Sequence, residues 1–249
     1  MIGHMEGKGK MNKKFKKILI TLLLAFAALT TAGCASGPYD TEQFDVSAFN
    51  SISIETIGEF IIEQGDNESL SVEAPRDFMR YLIIEVEGDT LVIRTRRGFF
   101  GGPIRRAVFT IGVKDLEEIS LSGAGAIKVL SLDTETFNVN LTGAGSVEID
   151  DLQADRLEVD LTSAGAVIIA GKVEKQYISL TGVGSYEAGD LHTEDTDILL
   201  TGAGSAVVWA EDDLDAEITG VGSISYFGSP NVYQNVSGLG SINSRGEHD

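Results

Sequence analysis

One short phrase, returning at a nearly fixed interval, limits what this chain can fold into. It reads Leu121-Ser-Gly-Ala-Gly-Ala126, Leu141-Thr-Gly-Ala-Gly-Ser146 and Leu161-Thr-Ser-Ala-Gly-Ala166. It returns as Leu180-Thr-Gly-Val-Gly-Ser185, Leu200-Thr-Gly-Ala-Gly-Ser205, Ile218-Thr-Gly-Val-Gly-Ser223 and Val236-Ser-Gly-Leu-Gly-Ser241. The first residues are 20, 20, 19, 20, 18 and 18 positions apart. Such a period is the mark of stacked supersecondary units, each burying its apolar face against its neighbours. A propeller blade needs about 40 residues and a leucine-rich repeat needs its own consensus, and neither is present.

Between the phrases, apolar and polar residues alternate. Phe137-Asn-Val-Asn-Leu141 and Leu157-Glu-Val-Asp-Leu161 put their first, third and fifth residues on one face, and Val147 and Ile149 share a face after the phrase. Period two means strands with one buried side. Each repeat therefore reads as strand, tight Gly turn, strand, then an acidic turn such as residues 150–155. Stacked in register, the copies give an all-β parallel solenoid of about 20 residues per turn, a rod roughly 34 Å long at ~4.8 Å per rung.

The columns of that stack carry their own expectations. The second Gly of the phrase (Gly125, Gly145, Gly165, Gly184, Gly204, Gly222, Gly240) is present in all seven copies, whereas Ser163 replaces the first Gly once. The second is thus the constrained position, through positive φ or close backbone approach, and the first should be the more replaceable. The residue between them is always apolar (Ala124, Val183 and Leu239 among them), which predicts a plug for the corner of the core. The Ser or Thr before the first Gly can bond along the rod or to backbone groups.

The charge is lopsided. Removing the six lysines and Glu6 of residues 1–33 from the chain's 19 basic and 38 acidic residues leaves 13 and 37, a net of −24. That excludes nucleic acid as a partner and electrostatic adsorption to anionic lipid. The lysines precede an apolar run, Ile18 to Leu29, too short to span a bilayer, so residues 1–33 read as an extension plus signal peptide with Met11 the natural start. Cys34, the only cysteine, follows Thr31-Ala-Gly33, small residues at a cleavage junction. The arrangement resembles a bacterial lipobox and marks Cys34 for lipidation, with Ala35 sending the protein to an outer membrane where one exists. Residues 34–43 then form a lipidated tether. Residues 44–118 are an irregular β segment capping the first end, with one helical turn near Phe78, and residues 119–249 are the seven-repeat solenoid.

Two features stand out as interaction candidates. Arg94, Arg96, Arg97, Phe99, Phe100, Arg105 and Arg106 form a basic, aromatic stretch in an acidic protein. It is either a binding loop or a hairpin tip whose arginines pair with nearby carboxylates. Trp209 falls on the outward register beside Val207, open to a sugar or a partner, or else covered by another segment. Chemistry is harder to find. No copy of the phrase has the spacing of a phosphate loop, and none has the Asp of calcium-binding nonapeptide solenoids. His192 is expected in a turn and His248 at a frayed end, too few for a metal site. Asp150-Asp151 and Asp212-Asp213 look like solvated turn charges without basic partners. No cofactor or metal is expected.

The Gly-x-Gly-Ser phrases, the lead-in Phe49-Asn-Ser-Ile-Ser-Ile54 and Leu116-Glu-Glu-Ile-Ser-Leu-Ser-Gly123 resemble the auto-transporter adhesin family with a head GIN domain, over roughly residues 44–241. The resemblance implies a right-handed β-helix, related in shape to pectate lyases, without evident catalytic residues. The reading is a non-enzymatic cell-envelope lipoprotein that binds a surface protein or glycan, with homo-oligomerisation left open. Its rivals are a carbohydrate-active enzyme and a structural or regulatory envelope module. Carboxylates gathered in one outward groove with an Arg would favour the enzyme.

Overall fold

The structure, a computed structural model, describes residues 39–96, 106–162 and 164–248. Among these, no helix is long and apolar enough to cross a membrane. The repeats form β8 (Glu118–Leu121), β9 (Ala124–Val129), β10 (Leu132–Leu141), β11 (Ala144–Leu161), β12 (Ala164–Leu180), β13 (Val183–Leu200), β14 (Ala203–Ile218), β15 (Val221–Phe227), β16 (Asn231–Val236) and β17 (Leu239–Ser244). Every pairing among them is parallel and the phrases lie in register, Gly145 opposite Gly125 on one side and Gly165 on the other. Stacked strands about 20 residues apart make a β-solenoid of about six turns, the number seven corners enclose.

The alternation does what its period requires. Phe137, Val139, Leu141, Val147 and Ile149 are all buried, as are Leu157, Val159 and Leu161 one rung on. The acidic segments expected to be turns differ from expectation. Residues 150–155 stay inside β11, whose ladder to β12 merely shifts register between Ile149 and Leu152. Leu152 is buried there, so an apolar side chain pins the bend to the core and the chain rounds it without leaving the sheet.

The Gly corner corrects two expectations. The middle residue of the phrase points outward: Val183 is 65% exposed, Val221 54% and Leu239 78%. Burial of the preceding Leu or Ile uses up the corner's inward direction, so the next apolar residue but two faces solvent. The glycines are also not in the left-handed region; positive φ occurs at Gly88, Gly171, Gly228 and Gly246 instead. What they need is room. A Cβ on Gly145 would sit 2.0 Å from Gly125 O, and one on Gly143 1.9 Å from Gly123 O. The first Gly is therefore held by the rung below at least as tightly as the second: the nearest carbonyl oxygen is 1.9–2.0 Å from the Cβ position at Gly143, Gly202, Gly220 and Gly238, against 1.9–2.6 Å at Gly145, Gly165, Gly184, Gly204, Gly222 and Gly240. That close stacking is stitched by main-chain bonds, Thr142 N and Gly143 N both donating to Leu121 O and Ala144 N to Gly123 O. Of the hydroxyls, Ser122 Oγ reaches Ile54 O at 3.5 Å.

The N-terminal part caps the stack in an order the sequence does not follow. Its elements are β1 (Tyr39–Phe44), β2 (Ser51–Glu55), β3 (Ile57–Gln64), β4 (Ser69–Pro75), α1 (Arg76–Met79), β5 (Leu82–Glu87), β6 (Thr90–Thr95) and β7 (Val108–Val113). β1 takes up residues 39–43 of the expected tether. β2 and β3 form one rung, which lies between β6–β7 on one side and β8–β9 on the other. β5 pairs antiparallel with β6, β4 with β7, and β1 with β4. These antiparallel strands and α1, with Phe78 buried, close the core at this end; Phe60 and Phe109 stack at 4.5 Å beneath them.

Candidate interaction surfaces

Trp209 sits where the solenoid core is unusually polar. Gln176 and Thr196 occupy an inward column that holds Phe137, Leu157 and Leu214 elsewhere. Both are buried, with Thr193. Gln176 Nε2 donates to Thr193 Oγ1 at 3.2 Å and Thr196 Oγ1 at 2.9 Å, and Tyr186 OH donates to Gln176 Oε1 at 2.8 Å. Tyr186 finds space because its register partner is Ala206, and burial drives its phenol far above the ordinary range. Thr193 Oγ1 then donates to Trp209 O at 2.5 Å, tying the network to the surface. Satisfied networks of this kind fix one geometry, and here the fixed point is the Trp209 backbone.

The indole itself is covered, by the C-terminal segment. His248 stacks on it with centroids 4.2 Å apart and planes 2° from parallel, and His192, its register partner, meets it edge-on at 4.7 Å. Trp209 Nε1 donates to Glu211 Oε1 at 2.7 Å, and His248 Nε2 lies 3.2 Å from Asp190 Oδ1. So His192 is in a strand, not a turn, and His248 is docked, not frayed. Val207, expected outward, is buried. Beside this stack runs a groove of about 380 Å³, floored by Ile168, Val207 and Phe227, with Glu148, Asp150, Glu187 and Asp190 around it and Arg245 and His248 at one end.

A second groove, about 420 Å³, lies over the strands that precede the phrase. Glu158, Tyr177, Asp197 and Asp215 stack in one outward column, and Asp195 and Asp213 in the next. Loss of solvent raises the Asp197 pKa above the usual carboxylate range, helped by Asp215 and Asp195. Arg156 pairs with Glu158 and lies 4.0 Å over the Tyr177 ring. The carboxylates are thus gathered on a face together with an Arg, not scattered over turns. Nor are the acidic bends without cations: Lys128 pairs with Glu148 at 2.6 Å and with Asp150, which hold its pKa up, and Lys175 pairs with Asp195 at 2.8 Å. Among the described residues, no group of His, Cys, Asp and Glu is arranged to hold a metal ion.

The basic stretch interrupts the corner between β6 and β7. Arg94 pairs with Glu85 and with Glu87 at 3.6 Å, and Arg106 with Glu59 at 3.3 Å. Arg96 N donates to Tyr81 O at 2.8 Å. Arg97, Phe99, Phe100 and Arg105 lie outside the described residues, as does Cys34. Two of the stretch's arginines are therefore paired with carboxylates of the cap.

A capped β-solenoid with two outward grooves defines a scaffold class, not a reaction. Residues 48–230 match the family described as "Putative auto-transporter adhesin, head GIN domain", and the chain belongs to that family. A putative adhesin from Bacteroides fragilis is similar at 27% identity and a TM-score of 0.82, over 84% of this chain and 98% of that one. A putative lipid binding protein from Parabacteroides distasonis is similar at 27% identity and 0.60, over 84% and 97%. A putative adhesin from the same organism shares the fold at 23% identity and 0.65, over 84% and 97%. No curated protein matches the chain. The family and the Bacteroides fragilis neighbour support an adhesion-type surface protein, and none of the proteins named here is called an enzyme.

Proposed function

We propose that the protein is a non-enzymatic, lipid-anchored envelope protein that binds a surface protein or glycan through the groove beside Trp209. The observation that carries the reading is the composition of that groove. Exposed Ile168, buried Val207 and the Phe227 ring make an apolar floor, and carboxylates with Arg245 and His248 make a polar rim. An apolar centre with a polar rim is how protein surfaces build recognition sites. The polar network under Trp209 holds the floor in place, as preorganised binding requires. The signal-like residues 11–33 and Cys34 support the anchor, and Ala35 supports the outer membrane.

Co-purification from the native envelope, with glycan-array screening of the same material, supplies the ligand, and mass spectrometry reads the lipid on Cys34. Ile168→Glu and Phe227→Ala should each weaken capture at least tenfold, while Asp197→Asn leaves it unchanged. Capture indifferent to both groove substitutions sinks the reading. Polysaccharide turnover abolished by Asp197→Asn would put the enzyme in its place, since the gathered carboxylates are the one feature that favours it.

A further inference from the structure

The two ends of the solenoid are finished differently. At the first end, antiparallel strands and α1 cover the core, and the strands exposed there carry Asp40, Glu42, Glu85 and Glu87. At the last rung, β16 pairs only with β14 and β17 only with β15. The inward residues Val232 and Ile242 pack on the core but stay half-buried, and Tyr233 and Val236 are 63% and 41% exposed. The residues that follow do not close this end. Arg245 N bonds to Tyr226 O at 2.7 Å and Gly228 N to Gly246 O at 3.0 Å, so the chain carries the last rung on by two residues before His248 comes to lie on Trp209 at the side.

The two strands of that open rung, β16 and β17, carry no charge; Arg245, the first charged residue after them, lies over the Phe227 ring. From Ile218 to Ser244 there is not one Asp, Glu, Lys or Arg, in a chain of net charge −19. Free strand edges are normally guarded by charged side chains, bulges or a covering element. β16 has Pro230 just before it and no other guard among the described residues. In a chain of this net charge a second copy approaching β16 and β17 meets no like charge.

We infer that the last rung is the docking surface for a second copy of this chain, the two solenoids meeting end to end with the free edge of β16 pairing antiparallel to its twin. A twofold axis across β16 brings the same residues together from both sides, so one neutral patch is its own complement and the assembly closes at two. Each β16 supplies the N–H and C=O partners that the other lacks, and Tyr233 and Val236 leave water together. Meeting the capped end of another copy instead would take the Asp40–Arg76 pair, the Arg94–Glu85–Glu87 cluster and Glu42 out of water against an uncharged rung that offers them no new partner.

Sedimentation of the full chain in density-matched detergent, across a thousandfold concentration range, tests this. The expected result is a reversible monomer–dimer equilibrium. Amide exchange in β16 should slow as the dimer forms, and exchange in β1 should not change. Tyr233→Lys with Val236→Lys should raise the dissociation constant at least a hundredfold with the melting profile kept. Ile57→Lys, at an apolar site near the capped end as exposed as Val236, should leave the dimer intact. A monomer at every concentration overturns the inference. So does a dimer that survives the double substitution, and so does open-ended growth, which would mean head-to-tail contact.

Discussion

The phrase glycines can be tested against glycines whose surroundings differ. An Ala at residue 143 puts its Cβ 1.9 Å from Gly123 O, and one at residue 145 puts it 2.0 Å from Gly125 O. Relief requires the rungs to part by roughly an ångström, given an ordinary carbon–oxygen contact a little above 3 Å. Three main-chain bonds cross that corner, from Thr142 N, Gly143 N and Ala144 N. At about 1 kcal/mol each, and with about 0.4–1 kcal/mol regained from the stiffer unfolded chain, the net loss is roughly 2–3 kcal/mol at either position. For a domain of this size that lowers Tm by roughly 5–10 °C. Gly65 is the control: nothing lies within 4 Å of its Cβ position and its φ is not positive, so Gly65→Ala should be neutral or slightly stabilising. Gly88 is equally open but has φ +68°, so Gly88→Ala should cost only the conformational penalty of about 1 kcal/mol. Thermal and urea unfolding of the four variants read the order directly. If Gly143→Ala behaves like Gly65→Ala, close stacking is not what the repeats need their glycines for.

Two further outcomes follow from the buried and stacked polar groups. Tyr186→Phe leaves Gln176 Oε1 without its donor in a dry core, and should cost about 1–3 kcal/mol in urea unfolding; Tyr186→Phe with Gln176→Leu should recover part of it. Asp197 has a raised native pKa, so the folded state holds its proton more tightly than the unfolded chain does. Its contribution therefore falls as pH rises through the window just above the ordinary carboxylate range and improves on acidification through it. Asp197→Asn should raise Tm at pH 7 and lose that advantage below the window; a variant that melts like the parent at both pH values would contradict this.

How far the sequence could be read depends on what each residue answers to. Strand faces answer to local alternation, and Phe137, Val139 and Leu141 went inward as their period requires. Gly143 and Gly145 answer to the rung below, twenty residues away, so the single Ser163 made the first Gly look replaceable, and at the second nothing local chose between positive φ and close approach. The middle residue misled because Ala, Val and Leu suit both a corner plug and an exposed ridge; which one depends on the preceding Leu. Trp209 was identifiable as a site, but its cover came from His248, and nothing local announces a contact across 39 residues. The core network was visible only as Gln176 and Thr196 standing in an apolar column. The acidic face was missed because Asp197, Asp215 and Glu158 look like strand decoration until the register stacks them.

The rung of β2 and β3 is made early in the chain yet lies between partners made later. A ribosome delivers its two strands before any of their partners, and both of their edges stay open until β6–β7 and then β8–β9 have been synthesised, the latter ending at Val129. Beyond that point each new turn finds a finished template one residue length of repeat behind it. The N-terminal part must therefore form as a single knot of long loop closures, the slow kind of folding, while the remainder can lengthen turn by turn. Deleting or duplicating a whole unit such as residues 141–160 leaves every template in place. A deletion before residue 118 removes a strand, such as β3 between β7 and β9, that no repeat of the same phrase can replace.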